Sequence, residues 1–557
     1  MRNSFFVVFL VVLLGIFFNN ILFSDKSFFA GDIIAQFRAW KVFASENMQA
    51  GEIPLWNPYC YGGSPFLANL QSAVFYPPGI VFYIFGFCPA LKIFILLHFF
   101  LAGFFVFLLC EHLDLDGIAS SLSAVVFIFN GYFVTRIEFL SLLSACIWLP
   151  LLMLLVLSCP EKFRSTSIAT LIFAFFFLAG YPQVLFYSLL FLTGWVAVRD
   201  GCKWKRIRLI VFGCLAGMFL AAVQFVPTFE FIRAGWHSSA ISWHALSLEH
   251  IPNLICPVSN RSIDDNFWLS CFYIGIVPFA LSMMGIAEKK DRLGWFMAGT
   301  ILAACFLALD VCTPLFSVIT RYFPLFRMFR CTTTVMFLAV SSFSILSGFG
   351  IDAMRSSVLV KGILLIVVIA ELFLFGIGIN PVVGRGYLKE KPEILDYIEG
   401  NTDEFTVFLT PKTYNTRWQW RIKHPGRWKE YKEFLFPNMN MSYHIREING
   451  YDTMRLASFE EIYSKIGMSG SLPGAQEYLD VFNCKYILNI DNMKNPDYVI
   501  VKKGIPNLYE YINFKPAKSV MNKDELKRTA AAFNAGLFIT ALTLCCCGVF
   551  LKTADNL

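Results

Sequence analysis

Charge is scarce in this chain. Only 15% of its 557 residues are Asp, Glu, Lys or Arg, against 57% hydrophobic and 17% aromatic, and the mean hydropathy is +0.60. A water-soluble domain carries about 25% charge, so this composition excludes an ordinary soluble globular protein. Other absences narrow the chemistry. There is no G-x-x-x-x-G-K-S/T, no H-E-x-x-H and no G-x-S-x-G, which leaves nucleotide hydrolysis, zinc proteolysis and serine-hydrolase chemistry without support. Sixteen cysteines form no C-x-x-C; most lie in apolar runs, three stand together at Cys545-Cys546-Cys547, and the long polar segment near the C-terminus holds only Cys484. They are expected to pack rather than to build a disulfide framework.

What is present is a series of apolar runs. Spans are predicted at 5–23, 90–110, 118–135, 139–157, 166–180, 183–198, 207–231, 267–287, 293–310, 332–350, 358–379 and 530–551. Most are long enough to cross about 30 Å of hydrocarbon, where helices satisfy their own backbone. The expected fold is an α-helical polytopic membrane protein of about twelve spans. Residues 1–379 form the membrane domain with a first loop at 24–89, 380–528 form a small extracytoplasmic α/β domain, and 529–557 give a last span and short cytoplasmic tail. Strands are expected at 405–409, 485–490 and 498–502, and a short helix begins near Pro392.

Basic residues set the orientation. Arg199 to Arg208, Lys289-Lys290-Asp291-Arg292 and Glu161 to Arg164 share one side with Arg2 and Lys552, which is read as cytoplasmic. The first loop and 380–528 then face outward from the cytoplasmic membrane, and the first span is read as an uncleaved anchor. This bias accounts for the net charge of +7 without any nucleic-acid partner.

The first loop is dense in Gly, Pro, Trp, Asn and Gln. Asp32, just past the first span, is placed to take a proton from a hydroxyl or to hold a cation; the plainer alternative is a helix cap. Gln36, Asn57, Asn69 and Gln71 supply amides, and Trp56 and Tyr76 supply aromatic faces, a combination suited to a sugar or to a loop bonded within itself. Elsewhere on the outer side stand Gln183 in Gly180-Tyr181-Pro182-Gln183, Gln224 with Pro227, Glu230 and Arg233, and Arg327 and Arg330, whose guanidinium groups suit a phosphate or ordinary lipid headgroups. Glu371 lies mid-span, where a charge costs about 2.5–3.5 kcal/mol on insertion scales and calls for a partner. Arg136 and Glu138 flank a short turn and are able to pair.

These strings resemble the YfhO family of bacterial membrane proteins, which are similar to C-type glycosyltransferases that use polyprenyl-phosphate sugars. The match runs through Asp32 with Gln36, Ile53-Pro54-Leu55-Trp56-Asn57-Pro58, Gly63-x-Pro65-Phe66, Asn130-Gly131-Tyr132, the Gly180–Gln183 turn and Gln224 to Glu230. It continues through Thr313-Pro314-Leu315, Phe329-Arg330, Gly348 to Asp352 and Asn449-Gly450-Tyr451-Asp452. The resemblance implies an active site at the outer membrane face, with Asp32 as base or metal ligand, a divalent cation as one option, and 380–528 as its roof. Three places depart from the family pattern: Tyr181 and Glu138 where His is usual, and Cys331-Thr332-Thr333-Thr334 after Arg330.

The expected function is transfer of a sugar from a polyprenyl phosphate to an envelope glycan or lipid, within a membrane-lipid environment. Arg330 and Arg233 would hold the departing phosphate, and Gln36, Trp56, Asn57, Asn69, Gln71, Tyr76, Gln183 and Glu230 would line the substrate site. The rivals are a flippase for a lipid-linked saccharide and a non-catalytic envelope assembly protein. The concentration of polar residues on one face favours chemistry at one surface over transport.

Overall fold

The computed structural model describes residues 2–554 apart from 30, 159–162, 202, 236–245, 258–266, 310–320, 323–330, 400–402, 420–431, 436–437, 453, 470–471 and 517–522. A helix stands at each of the twelve predicted positions. Among the described residues, however, six are long and apolar enough to cross a membrane: Phe87–His112, Gly117–Thr135, Leu140–Ser158, Thr332–Ala353, Val358–Gly376 and Asp524–Cys545. A seventh crossing is counted if Trp204–Leu220 and Ala222–Ala234, bent by 81°, act as one. The expected twelve is therefore not reached on length and hydropathy. Asn3–Phe17, Arg164–Leu178, Ile276–Glu288 and Arg292–Ala308 are apolar but short, and at 1.5 Å per residue they extend only about 20–26 Å. The chain is a multi-pass membrane protein with a small sheet domain.

Glu371 shows how a carboxylate is accommodated in an apolar helix. It accepts the backbone N–H groups of Ile276 and Val277, the latter at 3.2 Å, and the Tyr273 hydroxyl at 3.1 Å. These are the open donors at the start of Ile276–Glu288, where a negative charge is favoured. Gly275, with φ of +96°, brings that turn so close that a Cβ there would lie 3.0 Å from the Glu371 carboxylate. The partner demanded by mid-span burial is thus a helix N-terminus.

Among the described residues nine strands are present: β1 (Lys26–Phe28), β2 (Trp56–Asn57), β3 (Ser64–Pro65), β4 (Val382–Gly384), β5 (Thr406–Leu409), β6 (Arg446–Glu447), β7 (Cys484–Asn489), β8 (Tyr498–Lys502) and β9 (Asn507–Tyr511). β1 pairs antiparallel with β4, which ties the start of the first loop to the segment after the helix Val358–Gly376. β2 and β3 make a small hairpin within the first loop. The other five form one sheet in the order β6-β5-β7-β9-β8, parallel at β6-β5-β7 and antiparallel at β7-β9-β8. The strands expected at 405–409, 485–490 and 498–502 are β5, β7 and β8. One face of this sheet buries Val407, Leu409, Tyr486, Leu488 and Leu508 against Ile394, Leu395 and Ile398, so the short helix after Pro392 supplies the covering layer. The other face joins the main core through Phe408, Ile487 and Tyr509.

Candidate active site

The first loop is held from below by the membrane helices. Thr228 donates to the carbonyl of Ala68 at 2.8 Å, and Gln224, one turn earlier, donates to that of Leu67. A Cβ on Gly180, whose φ is +83°, would lie 2.2 Å from the Leu70 carbonyl, so only glycine lets the Gly180–Gln183 turn rest on this loop. Gln183 donates to the Cys331 carbonyl at 2.6 Å and thereby joins that turn to the segment before Thr332.

Asp32 begins a helix whose next turn is widened. Ile33–Phe37 is π-helical, with the N–H of Arg38 bonded to the Ile33 carbonyl, and Arg38–Gln49 continues as α-helix. Bonding of this i→i+5 kind is uncommon and clusters at functional sites. Gln36 follows Asp32 by four residues, the spacing at which helical side chains share a face. Gln36 is 3% exposed, yet its amide has no hydrogen-bond partner among the described residues, unlike most buried polar side chains.

One further group bonds Asp32, and another lies against the adjoining Gly31. The Tyr451 hydroxyl, from the sheet domain, donates to Asp32 Oδ1 at 3.3 Å. Glu138 reaches Gly31: a Cβ built there would lie 1.5 Å from Glu138 Oε2. Arg136, in contrast, lies over the Tyr132 ring at 3.8 Å and donates to the Cys271 carbonyl at 3.0 Å. The Arg136 and Glu138 side chains, expected to be able to pair, are thus directed to different neighbours.

The other predicted residues divide. Asn69 donates to Asp452 Oδ2 at 2.9 Å and accepts the N–H of Gln71 at 3.0 Å, which places both beside the sheet domain. Trp56 lies against Gly63, where a Cβ would be 2.8 Å from the indole. Asn57 accepts the N–H of Tyr59 at 2.9 Å and contacts Met441, and the Tyr76 hydroxyl bonds His98 at 2.9 Å in a fully buried setting. Both are bonded inside the protein. Glu230 and Arg233 pair at 3.4 Å and line a cavity of about 290 Å³ with Pro65, Leu456 and Arg528, a separate place from the Asp32 cluster. Arg327 and Arg330 lie outside the described residues.

Sequence reasoning missed Tyr451, Asp452 and Asn438 as site residues, since nothing in local spacing relates them to Asp32. The family string Asn449-Gly450-Tyr451-Asp452 was the available signal. It also missed Lys41, which is buried and donates to the Ser72 carbonyl at 2.7 Å; burial lowers its ammonium to about 7. Among the described residues no three His, Cys, Asp or Glu side chains converge.

No known family profile matches this chain, and no curated protein matches it. Several solved structures share its fold. The arabinofuranosyltransferase AftD from Mycobacteria superposes with a TM-score of 0.60 over 93% of this chain at 11% identity. The oligosaccharyltransferase of Archaeoglobus fulgidus in its apo form does so at 0.52, over 87% of this chain and 69% of its own, at 10% identity. This chain spans 40% of the AftD chain. At these identities the likeness shows the fold alone.

Proposed function

We propose that this protein is a C-type glycosyltransferase that moves a sugar from a polyprenyl phosphate to an envelope glycan or lipid on the outer face of the cytoplasmic membrane, as expected from its resemblance to the YfhO family. The observation that carries the reading is that Tyr451 of the sheet domain bonds Asp32 of the first loop while Glu138 lies against the adjoining Gly31, on a fold shared with two solved glycosyltransferases.

In this reading Asp32 is the general base. It takes the proton of the acceptor hydroxyl as that oxygen bonds the anomeric carbon of the donor. The bond from that carbon to the phosphate oxygen breaks, and its electron pair leaves with the polyprenyl phosphate. A positioned carboxylate contributes on the order of 10²–10⁴ to such a step. Gln36 presents its unbonded amide on the same helix face, with Gln71 and Trp56 along the loop, while Arg330 carries the phosphate role; Arg233, paired with Glu230 at the separate cavity, takes no part in it. Asn57, Asn69, Tyr76 and Gln183 serve as scaffold, because their bonds lie within the protein.

The test compares envelope glycans, by mass spectrometry, from cells with and without this protein. Loss of one sugar decoration in the deletion strain, restored by the wild-type gene, supports the reading and names the sugar. Unchanged glycans overturn it.

A further inference from the structure

We infer that Tyr451 is a positioning residue for Asp32, set in place by Asn438, so that the sheet domain completes the active site; this rests on the reading of Asp32 as the base. Each residue of Asn449-Gly450-Tyr451-Asp452 has a distinct job in this arrangement. Asn449 anchors the string to the sheet: its Oδ1 accepts the N–H of Leu409 in β5 at 2.8 Å, and its amide donates to Tyr463 at 3.0 Å. Gly450 lets the string approach the first loop, since a Cβ there would lie 2.8 Å from the Tyr61 ring. Tyr451 sends its hydroxyl to Asp32, and Asp452 receives Asn69 and donates its N–H to the Tyr61 hydroxyl at 2.9 Å.

Asn438 fixes the geometry. Its Oδ1 accepts the N–H of Tyr451 at 3.0 Å and its Nδ2 donates to the Tyr451 carbonyl at 2.7 Å, so both backbone groups of that residue are held by one side chain. The same Nδ2 donates to the Ala35 carbonyl at 3.1 Å, inside the π turn that follows Asp32. Asn438 is 2% exposed and stands in the left-handed region at φ of +60°, which asparagine tolerates better than most residues. One amide therefore spans the two pieces of chain that carry the Asp32 carboxylate and the Tyr451 hydroxyl. A hydroxyl held this way restrains the carboxylate to one rotamer, which is how a base is kept at attack geometry.

The test uses the full-length protein in lipid vesicles. The donor is the polyprenyl-phosphate-sugar fraction extracted from a strain lacking the gene, and the acceptor is that strain's undecorated envelope. Wild type, Tyr451→Phe, Asn438→Ala and Asp32→Asn are compared for kcat, for KM toward the donor and for thermal melting. Tyr451→Phe is expected to lower kcat at least about ten-fold, the loss of one hydrogen bond to a charged group, with KM within two-fold and melting unchanged. Asn438→Ala is expected to lower kcat similarly and to speed hydrogen exchange at Ala35 to Arg38. Wild-type kcat in Tyr451→Phe beside an inactive Asp32→Asn overturns the positioning role alone. A kcat loss accompanied by a lower melting temperature or a raised KM makes Tyr451 structural and also overturns it. Activity in Asp32→Asn, or no transfer by wild type, overturns the reading of the site and the positioning role with it.

Discussion

Glu138 Oε2 occupies the space where Gly31 would carry a side chain. Gly31 has φ of +47°, so a substituent there meets both left-handed backbone strain of about 1–2 kcal/mol and the carboxylate itself. Gly31→Ala is expected to push Glu138 away from the start of the Asp32 helix and to cut transfer at least ten-fold at normal membrane level. The check is glycan decoration against immunoblotted protein.

Asn69 and Asp452 join the first loop to the sheet domain through a 2.9 Å bond. A hydrogen bond to a charged group contributes about 1.5–3 kcal/mol. Asn69→Ala and Asp452→Ala are each expected to destabilise the purified protein, and the double variant by less than their sum. Additive losses in melting experiments would show that the two side chains do not couple.

Lys41 gives a pH dependence with a definite sign. Burial lowers its ammonium from 10.5 to about 7. Below about pH 7 both folded and unfolded chains hold the proton, and the cost of burying the charge is fully present. From about 7 to 10.5 the unfolded chain binds more protons than the folded one, so stability rises with pH. Melting of the wild type is expected to improve across that range, and Lys41→Met to flatten the slope while losing the bond to the Ser72 carbonyl.

Glu371 tests transport against chemistry at one surface. A carboxylate that caps Ile276–Glu288 is structural. Glu371→Ala is expected to lower melting by the equivalent of about 1.5–3 kcal/mol, with Glu371→Gln milder and turnover per folded molecule unchanged. A carboxylate on a transport path would instead lose turnover without losing stability.

The helices were legible because apolar runs announce themselves, and β5, β7 and β8 because β-branched and aromatic residues cluster there. The number of crossings was not, since Ile276–Glu288 and Arg292–Ala308 look like spans in hydropathy and fall short in length. Nor was the 81° bend after Leu220, at a one-residue break occupied by Ala221. At the site, Asp32 and Gln36 were visible as polar residues in a loop that follows an apolar helix. The π turn that follows Asp32, and the reach of Tyr451 across more than 400 residues, depend on tertiary contacts that no local pattern encodes. Asn57 and Tyr76 read as sugar-binding types and proved to be bonded internally, because amides and aromatics serve packed loops equally well.

The most direct measurement is the pool of polyprenyl-phosphate sugar, by mass spectrometry of lipid extracts, in cells carrying wild-type protein, none, or Asp32→Asn at matched membrane level. The account predicts that the deletion and Asp32→Asn strains lose the same envelope sugar and accumulate the same lipid-linked donor. Full decoration and no accumulation in Asp32→Asn, with loss only in the deletion strain, would contradict it.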